Sequence, residues 1–313
     1  MLRPFVNHLV NQATILMLRP YISRELPGWG YLYQNLIGDY RAEERWKGTK
    51  RRWVRGKLHG YEMPLDLGLW SNRASFFLGR YYDLPTQLAL MALLRPGDTF
   101  VDIGANQGMI SLLASRLVGT SGKVVAFEPN PAPRAKFEAT LARNAISNVV
   151  LHPVGLGDAA AVLELRVPRM NSGEGSFGVP DYNEADMETI PCQVLPGDEL
   201  LGAVTPRLIK IDVEGYELHV LRGLEATLAR ARPFLITELI SKHLANAGVR
   251  LETLTDFLGE RGFKAFRLHL RSHGMKKSLA LVPEKLEGEI SGDFLWASVD
   301  TPLPPELVNE QAS

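Results

Sequence analysis

A single cysteine, Cys192, stands among 313 residues, so the chain can build neither an internal disulfide framework nor a cysteine-based zinc site. A reducing, cytoplasmic setting is the expectation. Long apolar runs are also missing. Near the start Phe5, Val6, Leu9, Val10, Ile15, Leu16 and Leu18 are interrupted by Asn7, His8, Asn11 and Gln12, too short and too polar a stretch to span a bilayer. No small-residue cleavage site follows it, and no secretory leader is expected. Net charge is absent too, with 35 Lys and Arg against 35 Asp and Glu. The balance is uneven, however: residues 1–60 hold eleven Lys and Arg against four acids, which leaves the remainder acidic. A basic segment of this kind either forms a solvated helical face or touches an anionic substrate or lipid surface. Arg3, Arg19 and Arg24 flank the amphipathic stretch, so a peripheral membrane contact through the basic N-terminus stays open. Aromatic residues are interleaved with Lys50, Arg51, Arg52 and Arg55, but no nucleic-acid signature accompanies them, and a nucleic-acid partner is not expected. The oligomeric state is not readable.

The last absence is the full G-x-G-x-x-G fingerprint that cradles a pyrophosphate. In its place Thr99-Phe100-Val101-Asp102-Ile103-Gly104-Ala105-Asn106-Gln107-Gly108 reads as a buried strand, a glycine loop and the opening of a helix. Beyond the loop Ile110, Leu113, Ala114 and Leu117 recur at helical spacing. A second apolar strand, Val124 to Phe127, ends at Glu128, 26 positions after Asp102 and near the spacing of a ribose-binding carboxylate. That carboxylate would repel a 2′-phosphate. A cofactor with a ribose and no phosphate fits best, and S-adenosylmethionine is such a molecule.

Strands and helices then alternate, as in a doubly wound parallel sheet. A helix is expected over residues 134–144, a third strand over 149–154 closing at Gly155-Leu156-Gly157-Asp158, and an extra strand over 161–167 before a loop through 171–176. Leu208-Ile209-Lys210-Ile211-Asp212-Val213 is the fourth sheet strand, followed by one helix from Tyr216 to Arg230. The fifth is Phe234 to Glu238, and after a helix from Leu251 to Leu258 the last two are Phe263 to Leu268 and Phe294 to Ser298. The expected fold is α/β: a Rossmann-like, seven-stranded domain over residues 86–300, a mainly helical basic and aromatic appendage over 1–85, and a flexible tail over 301–313.

Four segments in register carry a resemblance to a known family: Phe100 to Gly108, Phe127-Glu128-Pro129-Asn130-Pro131, Gly157-Asp158, and Leu208-Ile209-Lys210-Ile211-Asp212-Val213-Glu214-Gly215-Tyr216-Glu217. Over about residues 80–240 the chain resembles the FkbM-type methyltransferases, a branch of the class I S-adenosylmethionine-dependent fold. The resemblance implies S-adenosyl-L-methionine as methyl donor and an oxygen acceptor on a sugar, glycan, polyketide or other small metabolite. Carried onto this sequence, it places Asp102, Gly104, Ala105, Asn106 and Gly108 around the methionine and ribose, Glu128 on the ribose hydroxyls and Asp158 on the adenine amino group. Read without it, Asp102 could cap the following helix, Glu128 could be a solvated loop acid and Asp158 a turn residue.

Catalytic chemistry is expected from Lys210, Asp212 and Glu214, because period-two alternation along an extended strand would put all three on one side. Methyl transfer needs an aligned acceptor oxygen and a group to take its proton. Asp212 is the expected base or acceptor-orienting group, with Lys210 to keep a carboxylate ionised; a structural ion pair is the competing reading. Glu238 and His243 could join Asp212 in an oxygen-rich magnesium site, but the spacing does not fix an octahedral arrangement and no metal is expected. Two other functions share this sequence pattern: an NAD-linked oxidoreductase and a methyltransferase-fold binding module with weak or lost turnover.

Overall fold

The apolar runs of the second half fold as read, and they assemble into one mixed sheet. A computed structural model of the chain describes residues 2–168, 175–178, 183, 186–274 and 276–308. Two compact units form: residues Met1–Leu84 with Ser272–Ser278, and residues Pro85–Arg271 with Leu279–Ser313.

The first unit begins with a helix over Leu2–Ile22 and contains a hairpin of β1 (Arg52–Arg55) and β2 (Glu62–Leu65), then a helix over Trp70–Leu78. Its centre holds charge as well as apolar surface. Trp46 is fully buried, with its indole N–H on the Ile37 carbonyl at 2.9 Å. Arg73, also fully buried, donates to the Leu67 and Asp39 carbonyls at 2.7 and 2.5 Å, so backbone dipoles compensate its charge.

The second unit is built on β3 (Thr99–Ile103), β4 (Lys123–Phe127) and β5 (Val149–His152), then, after a separate small sheet of β6 (Gly155–Gly157), β7 (Ala161–Pro168) and β8 (Met187–Pro196), on β9 (Leu208–Ile211), β10 (Phe234–Ile240), β11 (Phe263–His273), β12 (Lys276–Pro283) and β13 (Ser291–Ser298). The large sheet runs β12-β11-β13-β10-β9-β3-β4-β5. Strands β5, β4, β3, β9 and β10 are parallel, and β13 is antiparallel to both β10 and β11. Alternation sorts the side chains between two faces. Val101, Ile103, Val125, Phe127, Ile209 and Ile211 join the helical residues Leu218, Leu221, Leu254 and Leu258 in one core, while Ala126 packs on Phe137 of the helix Pro131–Arg143 across the sheet.

The chain leaves β3 towards β4 and β5, then returns to the opposite side of β3 as β9. The carboxyl ends of β3 and β9 therefore flank the point where strand order reverses, which is where open α/β sheets form their ligand crevice.

Several expectations need correction. The sheet has eight strands, not seven, because Lys276–Pro283 pairs with β11 at the edge. The expected third strand stops at His152, and Gly155–Gly157 pairs with β8 in the other sheet. The expected helix from Tyr216 to Arg230 is two helices, Glu217–Arg222 and Glu225–Ala231, divided at Gly223. A Cβ at Gly223 would lie 1.9 Å from the Gly157 carbonyl oxygen, so backbone crossing there needs a glycine. The stretch expected as a tail is held as far as Val308, which bridges to Leu281, with Leu307 buried beside it; residues 309–313 lie outside the described residues, as does most of the expected loop, 171–174. Among the described residues no helix is long and apolar enough to cross a membrane.

Candidate active site

The glycine loop after β3 is held by backbone contacts that leave little room for side chains. The amides of Gly104 and Ala105 both donate to the Phe127 carbonyl at 3.0 Å, and the Asp212 amide donates to the Ile103 carbonyl at 3.0 Å. Gly104 has φ +79°, and a Cβ there would fall 1.9 Å from the Asp212 carbonyl oxygen. Only glycine lets the loops after β3 and β9 approach this closely. At Gly108, φ +78°, a Cβ would sit 2.2 Å from the Phe137 ring.

Glu128 binds the loop from the neighbouring strand end. Its two carboxylate oxygens accept the amides of Asn106 and Asn130, each at 2.7 Å. Burial pushes this carboxyl up to about 7, against the pull of those two amides. Asn106 itself is left-handed, with φ +51°. Asp102 lies beneath the loop, 1% exposed, and accepts the Ser111 hydroxyl at 2.5 Å, which ties β3 to the first turn of the helix Met109–Val118. Burial raises its pKa, opposed by Lys210, which is its register partner on β9.

Asp158 follows β6. Its carboxylate lies 3.2 Å from Nδ1 of His219, whose ring stacks on Tyr216 with centroids 4.3 Å apart, and Phe177 meets Tyr216 edge-on. An acid beside an aromatic surface is chemically suited to a nitrogen base with an exocyclic amine.

The end of β9 carries the densest charge. Lys210 is 5% exposed and its Nζ donates to Oδ2 of Asp212 at 2.6 Å. Burial works against the Lys210 charge, yet Asp212, Asp102 and Asp293 outweigh it and raise the pKa. Burial likewise disfavours the Asp212 carboxylate, but Lys210 and a hydrogen bond from Glu238 hold its pKa below the ordinary value. Glu238 takes the opposite course: the Asp212 charge, then burial, push it up to about 10. Glu238 therefore carries the proton in the Asp212–Glu238 pair, and Asp212 the charge. Asp293 stands directly across from Glu238 in the β10–β13 ladder and adds to the acidic excess.

The alternation expected to bring Glu214 alongside does not exist, because β9 ends at Ile211 and Glu214 lies in a turn at φ +54°. The turn does the work instead: single oxygens of Asp212, Glu214 and Glu238 lie within 4.8 Å of one another, a donor set that hard cations favour. Lys210 already supplies positive charge to this group. Glu214 also receives Nδ1 of His243 at 2.7 Å, and its carbonyl accepts the Ser176 hydroxyl at 2.7 Å. Gly215 follows at φ +102°, where a Cβ would meet the His243 carbonyl at 2.2 Å. Sequence reasoning missed Glu217. It is 1% exposed, its Oε1 accepts the Gly215 and Val213 amides at 3.1 and 3.4 Å, and burial pushes it up to about 7. Its sequence signals were its place at the end of the fourth matching segment and its being an acid two residues after a glycine at a helix start.

The Methyltransferase FkbM domain model matches residues 102–265, just over half of the chain and the stretch that holds every residue above except Asp293. The 31-O-demethyl-FK506 methyltransferase FkbM of Streptomyces tacrolimicus is 33% identical over 165 residues, covering 42% of this chain and 61% of that protein. The hexuronic acid methyltransferase AglP of Haloferax volcanii is 31% identical over 166 residues, covering 52% and 62%. The chain thus spans about 60% of the length of these curated relatives. A crystal structure of methyltransferase FkbM from Methylobacillus flagellatus KT superposes with a TM-score of 0.39 at 15% identity, covering 86% of this chain and 60% of that one. The match over residues 102–265 identifies the chain as a member of the FkbM methyltransferase family.

Proposed function

We propose that the chain transfers a methyl group from S-adenosyl-L-methionine to an oxygen of a sugar, glycan or other small hydroxylated metabolite. One observation carries the reading: the strand-order reversal joins a glycine loop tied to Glu128 with a cluster of buried Lys210 and half-buried Asp212 and Glu238. Each Glu128 oxygen takes one backbone amide and keeps a second lone pair for a ribose hydroxyl. Asp158, with Tyr216 and His219, suits the adenine, and Asp102 supports the loop from below. The acidic excess complements the sulfonium charge of the donor. Family membership and the missing pyrophosphate fingerprint both count against NAD. Similarity to a hexuronic acid methyltransferase and to a 31-O-demethyl-FK506 methyltransferase supports an oxygen acceptor.

In the transfer a C–O bond forms as the S–CH3 bond breaks, S-adenosylhomocysteine departs as a neutral thioether, and the hydroxyl proton must leave. Asp212 is ionised but a weakened base, since Lys210 and the Glu238 proton already engage it. Its role is to orient the acceptor hydroxyl. The His243–Glu214 pair, 2.7 Å apart beside this cluster, is the group assigned to receive the proton. No metal enters this scheme.

Isothermal titration calorimetry with S-adenosylmethionine, S-adenosylhomocysteine and NAD tests the reading. The first two are expected to bind and NAD is not; tight NAD binding with silence from the other two would overturn it. Donor binding without methyl transfer to any hydroxylated acceptor would favour the binding-module alternative.

A further inference from the structure

The helix Leu2–Ile22 leaves an apolar stripe in solvent while polar side chains share its buried face. Leu9 (55% exposed), Val10 (47%), Leu16 (76%) and Met17 (69%) face solvent, as do Ala13 and Pro20. At 100° per residue these six positions fall within an arc of about 120°. The opposite face is mixed, burying Ile15 and Ile22 together with two polar residues. Asn11 is 1% exposed and Thr14 8%, both engaged by Arg45: Asn11 donates to the Arg45 carbonyl at 3.0 Å, and the Arg45 guanidinium donates to Asn11 Oδ1 and Thr14 Oγ1 at 3.0 and 3.1 Å. Gln12 accepts Arg52 at 2.6 Å and Arg19 donates to the Phe76 carbonyl at 3.2 Å. Rotating the helix to hide its apolar stripe would break all of these, so the stripe is locked outward. Tyr31 and Tyr40, also exposed, add side chains of the kind that settle at a membrane–water boundary.

Charge decides what the stripe meets. Over residues 7–60 seven Lys and Arg side chains are exposed, against two acids, Asp39 and Glu44. A second copy docking through the same face would set this excess against itself, whereas an anionic surface neutralises it. The stripe is also a convex helix face, which can sink into the headgroup region without needing a complementary groove. We propose that the N-terminal unit binds anionic lipid bilayers, the apolar stripe entering the interface and the exposed cations of the unit drawing it to the lipid headgroups.

Cosedimentation of the full chain with vesicles tests this, using phosphatidylcholine alone and phosphatidylcholine mixed with phosphatidylglycerol in equal parts. The chain is expected to bind the mixed vesicles, more weakly as salt rises, and to bind the neutral ones poorly. Leu16→Glu with Met17→Glu should lower mixed-vesicle binding about tenfold or more. Both positions face solvent, so the melting temperature of this variant should stay at the wild-type value. Lys50→Glu with Arg55→Glu should remove the preference for phosphatidylglycerol. Absent binding to mixed vesicles, or undiminished binding by the Leu16 and Met17 variant, overturns the proposal. So does self-association in analytical ultracentrifugation that this variant abolishes while vesicles bind nothing, an outcome that assigns the stripe to a second copy.

Discussion

Glu128 and Glu238 are the same residue type, both at the carboxyl edge of one sheet, yet they are held in opposite ways. Glu128 rests on two backbone amides, fixed dipoles that favour its charge and leave it near 7 despite burial. Glu238 faces the Asp212 carboxylate, and the two share one proton, which drives Glu238 to about 10. The first arrangement is static and suits a bound ligand; the second stores a proton beside a buried lysine and suits chemistry. Under the proposed function, one edge divides into a donor half and a reaction half.

Single substitutions can separate the halves or show them to be one. The largest effect is expected from Asp212→Asn. It should lower kcat by about 100-fold, the scale expected when a reacting hydroxyl loses its alignment, and leave the Kd for S-adenosylhomocysteine unchanged. Glu128→Ala should do the converse, weakening S-adenosylhomocysteine about 10- to 30-fold through loss of a charged hydrogen-bonding partner. Calorimetry and steady-state kinetics on both variants decide the matter. If each variant moved Kd and kcat together, the division would be wrong.

The smallest effect concerns Glu217, held by amides as Glu128 is but with its Oε2 lacking a hydrogen-bond partner among the described residues. Its folded pKa of about 7 lies above the ordinary value of 4.5. The folded chain therefore binds more protons than the unfolded one between those values, and this contribution to stability, full below 4.5, fades as pH rises through 7. Glu128 slopes the same way. Thermal melts should show the melting temperature falling from pH 5 to pH 8, and Glu217→Gln should flatten part of that slope by fixing the neutral form. A slope that Glu217→Gln leaves intact would assign it to other groups.

Much of this was legible in the sequence because it is local. Phe100 to Gly108 encodes a strand, a turn and a helix within ten residues, and apolar runs such as Phe234 to Ile236 read as buried strands without knowledge of their neighbours. The eighth strand was less visible. Lys276–Pro283 starts on two lysines and buries only a short run around Leu279, Ala280 and Leu281. Met187–Pro196 was hidden as well, since Pro191 and Pro196 argue against a strand. In the first unit an apolar and polar alternation suggested an amphipathic helix, but the sequence could not say that Asn11 and Thr14 would lie inside and Leu16 and Met17 outside. Residues far along the chain, Arg45 above all, fix that orientation.

Local pattern by itself determined the strand and helix types, the glycines at 104 and 108, and the acids that end the strands, because each depends on a few adjacent residues. Tertiary structure decided how those acids share charge. Asp102 meets Lys210 only through the β3–β9 register, Asp212 meets Glu238 only because β10 lies beside β9, and Glu214 joins them through a left-handed turn rather than along a strand. Coulomb interactions and desolvation act over a few ångströms of space whatever the separation in sequence, so which carboxyl keeps the proton is settled only when the sheet closes.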